Sequence, residues 1–389
     1  MPEKRATEPD FDLAAWRRRI PVLERAVPMN ACSQGPLTDR AGEAMESFME
    51  SWRRRSMDWE RWLGEVEEAR RLFARLVGAE PGEVALASSV SAAANSVASA
   101  LDFGGRRRAV AVTEAEFPSV AHVWLARRRD GARVKWIPAT EEGIRPRAYE
   151  RVVDGETLIV SACHAHYETG FTQELAAVAE RVHDAGALLF VDAYQSVGTR
   201  PIDVKEAGVD FLAAGCQKFL MGTSGIAFLY VAPRLVDRLE PRDTGWFGRR
   251  DPFAFDAETL DWAPDASRFE IGTPPVPSAY VARAGMEVID EVGTEAVRDW
   301  TRRLGRRLQE GGRDRGLEPV GPGDPARRNP TVAFRCPEGT EAAEVGERLR
   351  DAGVIAAPRG RVVRLTPHFY SSREDVDRSL DALAGAMAP

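Results

Sequence analysis

The chain has 389 residues, of which 44% are hydrophobic and 29% are charged, a composition typical of a globular protein with one large and one smaller domain. Its net charge of −7 argues against a nucleic-acid-binding protein, and no apolar stretch approaches the roughly 20 residues that a membrane span needs. Four dispersed cysteines argue against a disulfide framework and, with the polar N-terminal segment, predict a cytoplasmic protein.

Seven short apolar segments with little polar alternation predict strands that are buried on both faces. In chain order they are residues 83–87, 109–113, 133–138, 157–163, 187–193, 210–215 and 225–231. Helical patterns such as 91–101 and 175–185 lie between them. This alternation predicts an α/β fold with a seven-stranded, mostly parallel, doubly wound sheet.

The pattern changes after about residue 235. Residues 242–275 are rich in Trp, Phe, Asp and Pro and predict an ordered loop region. Helices are predicted at 278–292, 294–311, 341–352 and 373–386, and strands at 331–335 and 362–366. We therefore predict a large domain of residues 29–270 and a smaller α+β domain formed by residues 1–28 and 271–389.

Two polar residues follow neighbouring candidate strands at their carboxyl ends. Asp192 lies at the end of segment 187–193, and Lys218 follows segment 210–215. Ligands of open α/β sheets bind beyond the carboxyl ends of the strands, so both residues are expected to face one crevice. A lysine and a carboxylate in this position suit pyridoxal phosphate (PLP): the lysine forms a Schiff base and the carboxylate keeps the pyridine nitrogen protonated. The alternative is an Asp192 that caps a strand and a Lys218 on the surface.

Lysine is rare in this chain, so few residues are candidates for forming a Schiff base. Only four of the 53 basic residues are lysines, which codon bias can explain. Lys4 lies in the terminal segment, Lys135 begins a strand and Lys205 lies in a charged helical stretch. Lys218 alone lies among small and apolar residues, which favours the Schiff-base interpretation.

The segment VDAYQS, followed by GCQKFLMGTSGIAFLYV, resembles the class V aminotransferase family of PLP-dependent enzymes. The resemblance covers the chain from Asn30 to Leu383, with several motifs in the same order. It implies the PLP-dependent transferase fold type I. The family includes cysteine desulfurases, selenocysteine lyase, kynureninase and isopenicillin-N-epimerase-like proteins.

The resemblance implies a cofactor contact for each matching position. Lys218 would form the Schiff base and move protons at the substrate carbons, Asp192 would pair with the pyridine nitrogen, and Gln195 would bond the ring O3′. The segment ALASSVSAAANSV matches the family's phosphate loop, in which Val90 and Ser91 would hold the phosphate at a helix N-terminus. The other implied contacts are Phe117 stacked on the ring, Tyr167 near O3′, Gln217 at the phosphate and Trp246 near the site.

The resemblance also implies how substrate and subunits are held. Arg364, in RLTPHFYSSREDVDRSLDAL, would bind the substrate α-carboxylate through a bidentate pair. Asn30, in NACSQGPLT, would border the substrate pocket. Thr273, in FEIGTPPVPS, would reach the cofactor phosphate of the neighbouring subunit, which implies a homodimer. No metal is predicted, because the two histidines of CHAHYETG have no further ligands nearby.

The resemblance also implies a reaction type. No cysteine follows Arg364 in VVRLTPHFYSS, and Cys336 and Cys216 are interpreted as structural, so sulfur transfer through a persulfide is not expected. Cleavage of a bond at the β-carbon is the commonest reaction among the family members that this chain most resembles, so the resemblance implies a lyase that removes the α-proton through Lys218 and cleaves such a bond. Transamination and epimerisation, which share the same quinonoid intermediate, are the alternatives. A catalytically inactive scaffold is the least favoured.

Overall fold

The structure, a computed structural model, describes residues 8–388. Its strands are β1 (Val27–Pro28), β2 (Val84–Ala87), β3 (Ala109–Thr113), β4 (Arg133–Ile137), β5 (Thr157–Cys163), β6 (Leu188–Asp192), β7 (Phe211–Gly215), β8 (Ala227–Val231), β9 (Pro319–Val320), β10 (Val332–Arg335), β11 (Val354–Ile355), β12 (Ala357–Arg359) and β13 (Val362–Leu365). Its helices are α1 (Leu13–Arg17), α2 (Asp39–Arg55), α3 (Trp59–Leu76), α4 (Val90–Ser99), α5 (Pro118–Ala126), α6 (Pro146–Val152), α7 (Leu175–Asp184), α8 (Pro233–Val236), α9 (Val276–Val292), α10 (Thr294–Asp314), α11 (Ala342–Asp351) and α12 (Arg373–Met387).

The larger sheet contains the seven strands that the sequence predicts. Its order is β2–β8–β7–β6–β5–β3–β4, and β8 alone runs antiparallel to its neighbours. All residues of β7 and β8 are buried, which explains why these segments consist of uninterrupted apolar residues. The predicted α/β fold with a seven-stranded, mostly parallel sheet is confirmed.

Helices α2 and α3 cover one side of this sheet together with α9. The ring of Phe73 on α3 stacks on that of Phe228 on β8, with centroids 4.7 Å apart. Thr38 caps helix α2, because its hydroxyl accepts a hydrogen bond from the Ala41 N–H at 3.1 Å. No element was predicted for residues 39–76, so these helices are an addition to the predicted fold.

A second, antiparallel sheet has the order β12–β13–β10–β9 and packs with α10, α11 and α12 around its own core. The chain before residue 29 joins this unit, because β1 pairs with β11 and the Arg17 guanidinium binds Asp375. Helix α9, which lies beyond the predicted boundary at residue 270, buries its apolar face in the core of the larger sheet. The division into domains stays a prediction. Among residues 8–388, no helix is long and apolar enough to cross a membrane.

Candidate active site

One cavity of about 320 Å³ opens beyond the carboxyl ends of the parallel strands in the larger sheet. Strands β6 and β7 are parallel neighbours, so Asp192 at the end of β6 and Lys218 just after β7 reach the same edge. Nine of the predicted site residues line this cavity: Val90, Ser91, Phe117, Tyr167, Asp192, Gln195, Gln217, Lys218 and Arg364. Seven lining residues were not predicted: Cys32, Ser33, Ser89, Ser119, Val120, Tyr194 and Arg359.

The Lys218 amine lies among aromatic rings rather than beside a carboxylate. Its Nζ is 3.9 Å from the centre of the Tyr194 ring and 5.7 Å from that of Phe117. Burial lowers the pKa of Lys218 to about 8, and the negative charge of Asp192 opposes this shift. A substantial fraction of the amine is therefore neutral and nucleophilic near neutral pH.

This pKa predicts how Lys218 reacts in the protein without cofactor. Brief labelling with acetic anhydride should modify Lys218 half-maximally near pH 8, because only the neutral amine attacks. In Asp192→Asn the midpoint should move to lower pH, because the charge that raises the pKa of Lys218 is removed. Mass spectrometry of the Lys218 peptide measures both profiles. A wild-type midpoint near the ordinary lysine value of about 10.4 would contradict this description.

Asp192 shares its surroundings with a second buried carboxyl group, that of Glu116. Asp192 Oδ1 accepts the Tyr194 N–H at 2.9 Å, and Glu116 Oε2 accepts the Ser161 hydroxyl at 2.8 Å. Burial raises the pKa of both groups, and the charge of Asp192 raises that of Glu116 further. Since two adjacent buried carboxylates cannot both ionise cheaply, we assign the proton to Glu116 and the charge to Asp192, which Lys218 stabilises. Nothing in the sequence marks Glu116 as a site residue beyond its position before Phe117.

The N-terminus of α4 forms the end of the cavity that suits a phosphate. Ser89 caps the helix, and its hydroxyl accepts the Ala92 N–H at 3.1 Å. The N–H groups of Val90 and Ser91, in the first turn, have no acceptor within the helix. Such donors, together with the helix dipole, favour an anion.

Gln195 offers an unsatisfied polar atom to the same cavity. Its Nε2 donates to the Cys32 carbonyl at 3.0 Å, whereas its Oε1 is buried without a partner among residues 8–388. A buried polar atom that lines a cavity and lacks a partner indicates a missing ligand group. With the helix terminus, the aromatic rings and Lys218, this atom makes the cavity a fitting site for a phosphorylated pyridine cofactor.

The Tyr194 ring fills the space beside Gly215. A Cβ at residue 215 would clash with the Cε2, Cζ and hydroxyl atoms of Tyr194. The glycine therefore allows the tyrosine ring to lie in the cavity. The sequence analysis did not relate these two residues to each other.

The Arg364 guanidinium is buried and held by neutral acceptors. It donates to the Ala357 carbonyl at 3.0 Å, to the Tyr167 carbonyl at 2.6 Å and to the Ser33 hydroxyl at 3.2 Å. It forms no ion pair with any carboxylate of residues 8–388. Its positive charge is thus oriented towards the cavity without compensation, which suits a substrate carboxylate.

Three predicted site residues do not line this cavity. Trp246 lines a separate cleft of about 300 Å³, and Thr273 lines another of about 130 Å³. Asn30 pairs through its backbone with Thr366, the residue that follows β13. The predicted role of Thr273 concerns a neighbouring subunit, so its position within one chain leaves that role a prediction.

The two histidines of CHAHYETG have protein neighbours. The ring of His166 stacks on Phe171 with centroids 5.1 Å apart, and its Nδ1 lies 3.0 Å from the Thr169 hydroxyl. His164 is buried, and burial lowers its pKa to about 3. Over residues 8–388, no group of three metal-ligating side chains is found.

Fold and site together define a PLP-dependent enzyme of fold type I. The family model for class V aminotransferases matches residues 47–378, and the chain belongs to this family, whose cofactor is PLP. The chain is 37% identical to the uncharacterized aminotransferase YcbU of Bacillus subtilis over 369 residues, covering 95% of this chain and 96% of that protein. It is 30% identical to isopenicillin N epimerase of Streptomyces clavuligerus, covering 95% and 98%. Other relatives are named kynureninase and cysteine desulfurase.

Among solved structures, the apo cysteine desulfurase of Thermococcus onnurineus superposes with a TM-score of 0.86 at 24% identity. The match covers 96% of this chain and 98% of that one. At this level of identity the likeness confirms the fold and carries no information about the reaction.

Proposed function

We propose that this chain is a PLP-dependent lyase that cleaves a bond at the β-carbon of an amino acid. The observation that carries the proposal is the arrangement in one cavity of a Lys218 amine with a lowered pKa, the buried Asp192 carboxylate and the uncompensated Arg364 guanidinium. When bound, PLP withdraws electrons from the substrate Cα and so makes its proton acidic.

Each residue has a defined task in this proposal. Arg364 holds the α-carboxylate and so orients the bond to the α-hydrogen. The Lys218 amine takes that proton from Cα, and its lowered pKa matches the work of a base near neutral pH. Asp192 would keep the pyridine nitrogen protonated. For this role its carboxylate must stay negatively charged although it is buried. Phe117 and Tyr194 border Lys218 with apolar surface and keep water away from the amine.

Relatives named kynureninase and cysteine desulfurase support the lyase reaction, whereas the relative named aminotransferase supports transamination as a second candidate.

The holoenzyme should be incubated with a panel of L-amino acids and the products identified by mass spectrometry. A lyase releases the β-substituent and leaves the cofactor in its original form. Conversion of the cofactor to pyridoxamine phosphate would establish transamination, and formation of the D-amino acid would establish epimerisation.

We also propose a homodimer in the cytoplasm in which Thr273 reaches the cofactor phosphate of the neighbouring subunit. The support is a group of exposed apolar side chains close in sequence to Trp246 and Thr273. Their exposed fractions are 47% for Phe253, 74% for Phe255, 53% for Leu260 and 45% for Ile271. Monomeric proteins seldom expose such a group together. We therefore propose that a second copy of the chain buries these side chains.

This dimer predicts the effect of one charged substitution. Phe255→Asp should shift the protein towards the monomer in analytical ultracentrifugation, because a buried carboxylate would lack a partner in the interface. Trp136→Asp, at an exposed position on the edge strand β4, serves as the control and should leave the mass unchanged. A dimer of equal stability in both variants would place the interface elsewhere.

A further inference from the structure

A second guanidinium, that of Arg359, lines the cavity beside Arg364. Strands β12 and β13 are antiparallel, with Ala357 opposite Arg364 and Arg359 opposite Val362. Directly opposed residues of a sheet point to the same face, as do residues two apart on one strand. Arg359 and Arg364 therefore project from one face of this sheet, as diagonal neighbours.

Arg359 differs from Arg364 in having no polar partner. Arg364 is held by three neutral acceptors, whereas the Arg359 side chain is exposed and forms no hydrogen bond or ion pair with any other residue of 8–388. The Glu168 carboxylate is close enough for both guanidinium groups to lower its pKa, which burial raises more strongly. It does not reach ion-pair distance from either of them. Arg359 thus presents a free positive charge to the cavity.

The side chains that line the cavity carry more positive than negative charge. Lys218, Arg359 and Arg364 line it, and Asp192 is the one carboxylate among its lining residues. The α4 N-terminus supplies the donors for the cofactor phosphate, and the α-carboxylate of a substrate occupies one guanidinium. The other guanidinium is then free to bind a second anionic group of the same substrate molecule.

We propose that the substrate is an amino acid with a second acidic group on its side chain, which Arg359 binds while Arg364 binds the α-carboxylate. This inference rests on the proposed function, in which Arg364 holds an amino acid. It adds the substrate class: a carboxylate, or another oxyanion that a planar guanidinium binds through paired hydrogen bonds. Arg359 makes and breaks no covalent bond in this proposal: when the bond at the β-carbon is cleaved, the acidic group leaves with the β-substituent that carries it.

Matched pairs of amino acids test the proposal through binding. The pairs are aspartate with asparagine, glutamate with glutamine, and 2-aminoadipate with norleucine, each titrated into the holoenzyme while its visible spectrum is recorded. At least one acidic member should bind about tenfold more tightly than its neutral partner, the effect expected of one charge-assisted interaction. In Arg359→Gln this preference should disappear while the affinity for the neutral partner is kept.

Arg361→Gln is the control, because it removes the same charge two residues away. The Arg361 side chain is exposed and does not line the cavity. This variant should keep the wild-type preference. Equal binding of both members in every pair, or a preference that survives in Arg359→Gln, would overturn the proposal.

Two further outcomes separate this inference from its alternatives. If Arg359→Gln weakens the binding of PLP to the apoprotein and leaves the preference intact, Arg359 serves the phosphate and the proposal is wrong. If no amino acid of any pair changes the spectrum, the proposed function fails and the inference fails with it. If neutral amino acids bind as tightly as acidic ones, the proposed function stands and only the inference is overturned.

Discussion

Replacing Lys218 with alanine is expected to lower kcat for any amino-acid substrate by about a thousandfold or more, because the group that bonds the cofactor and moves the α-proton is lost. The Lys218 side chain lines the cavity with its amine near the rings of Tyr194 and Phe117, and none of residues 8–388 offers another amine there. The visible absorption of covalently bound PLP should disappear in the same variant. Steady-state kinetics and an absorption spectrum measure the two effects.

Two further variants test whether the loss of activity and absorption is due to the missing amine. Lys218→Arg keeps a positive charge but cannot form the imine, so it should be as inactive as the alanine variant. Lys205→Ala removes a surface lysine that pairs with Glu83 and should keep both colour and activity. Equal absorption and activity in wild type and Lys218→Ala would contradict the assignment of Lys218.

Replacing Asp192 with asparagine is the second large effect that we expect. The amide has nearly the shape of the carboxylate but cannot keep the pyridine nitrogen protonated, so kcat/KM should fall by roughly a hundredfold or more. Folding should be preserved, because Oδ1 can still accept the Tyr194 N–H. Kinetics and thermal unfolding of the holoenzyme together distinguish lost catalysis from lost structure.

Glu116→Gln is a matched control for this variant. Glu116 is as buried as Asp192, and we assign it the proton, so the neutral glutamine should change kcat/KM by less than about threefold. The glutamine Oε1 can still accept the Ser161 hydroxyl. A loss in Glu116→Gln as large as in Asp192→Asn would show that Glu116, rather than Asp192 alone, carries negative charge in the native site.

The strands of the larger sheet could be predicted because their burial on both faces leaves uninterrupted apolar segments, as in Phe211–Gly215 and Ala227–Val231. Helix α2 was missed although its signals are present. Thr38 is a good N-cap, and the buried residues Ala41, Ala44 and Phe48 follow at helical spacing. The many charged residues between them concealed this periodicity.

The site was predictable where a residue follows a strand directly, as Asp192 and Lys218 do. Arg359, Tyr194 and Glu116 were missed, because their relation to the site arises from tertiary contacts. Arg359 becomes a neighbour of Arg364 only through the pairing of β12 with β13. Tyr194 matters because it fills the space beside Gly215. No local pattern in the sequence marks either relation.

The central claim is that Lys218 holds PLP in this cavity, and one measurement tests it most directly. The purified holoenzyme is treated with borohydride, which fixes an imine as a stable amine, and its peptides are then analysed by mass spectrometry. We expect a phosphopyridoxyl group on Lys218 and on none of Lys4, Lys135 and Lys205. A group on another lysine, or none on any lysine of a protein loaded with PLP, would contradict it.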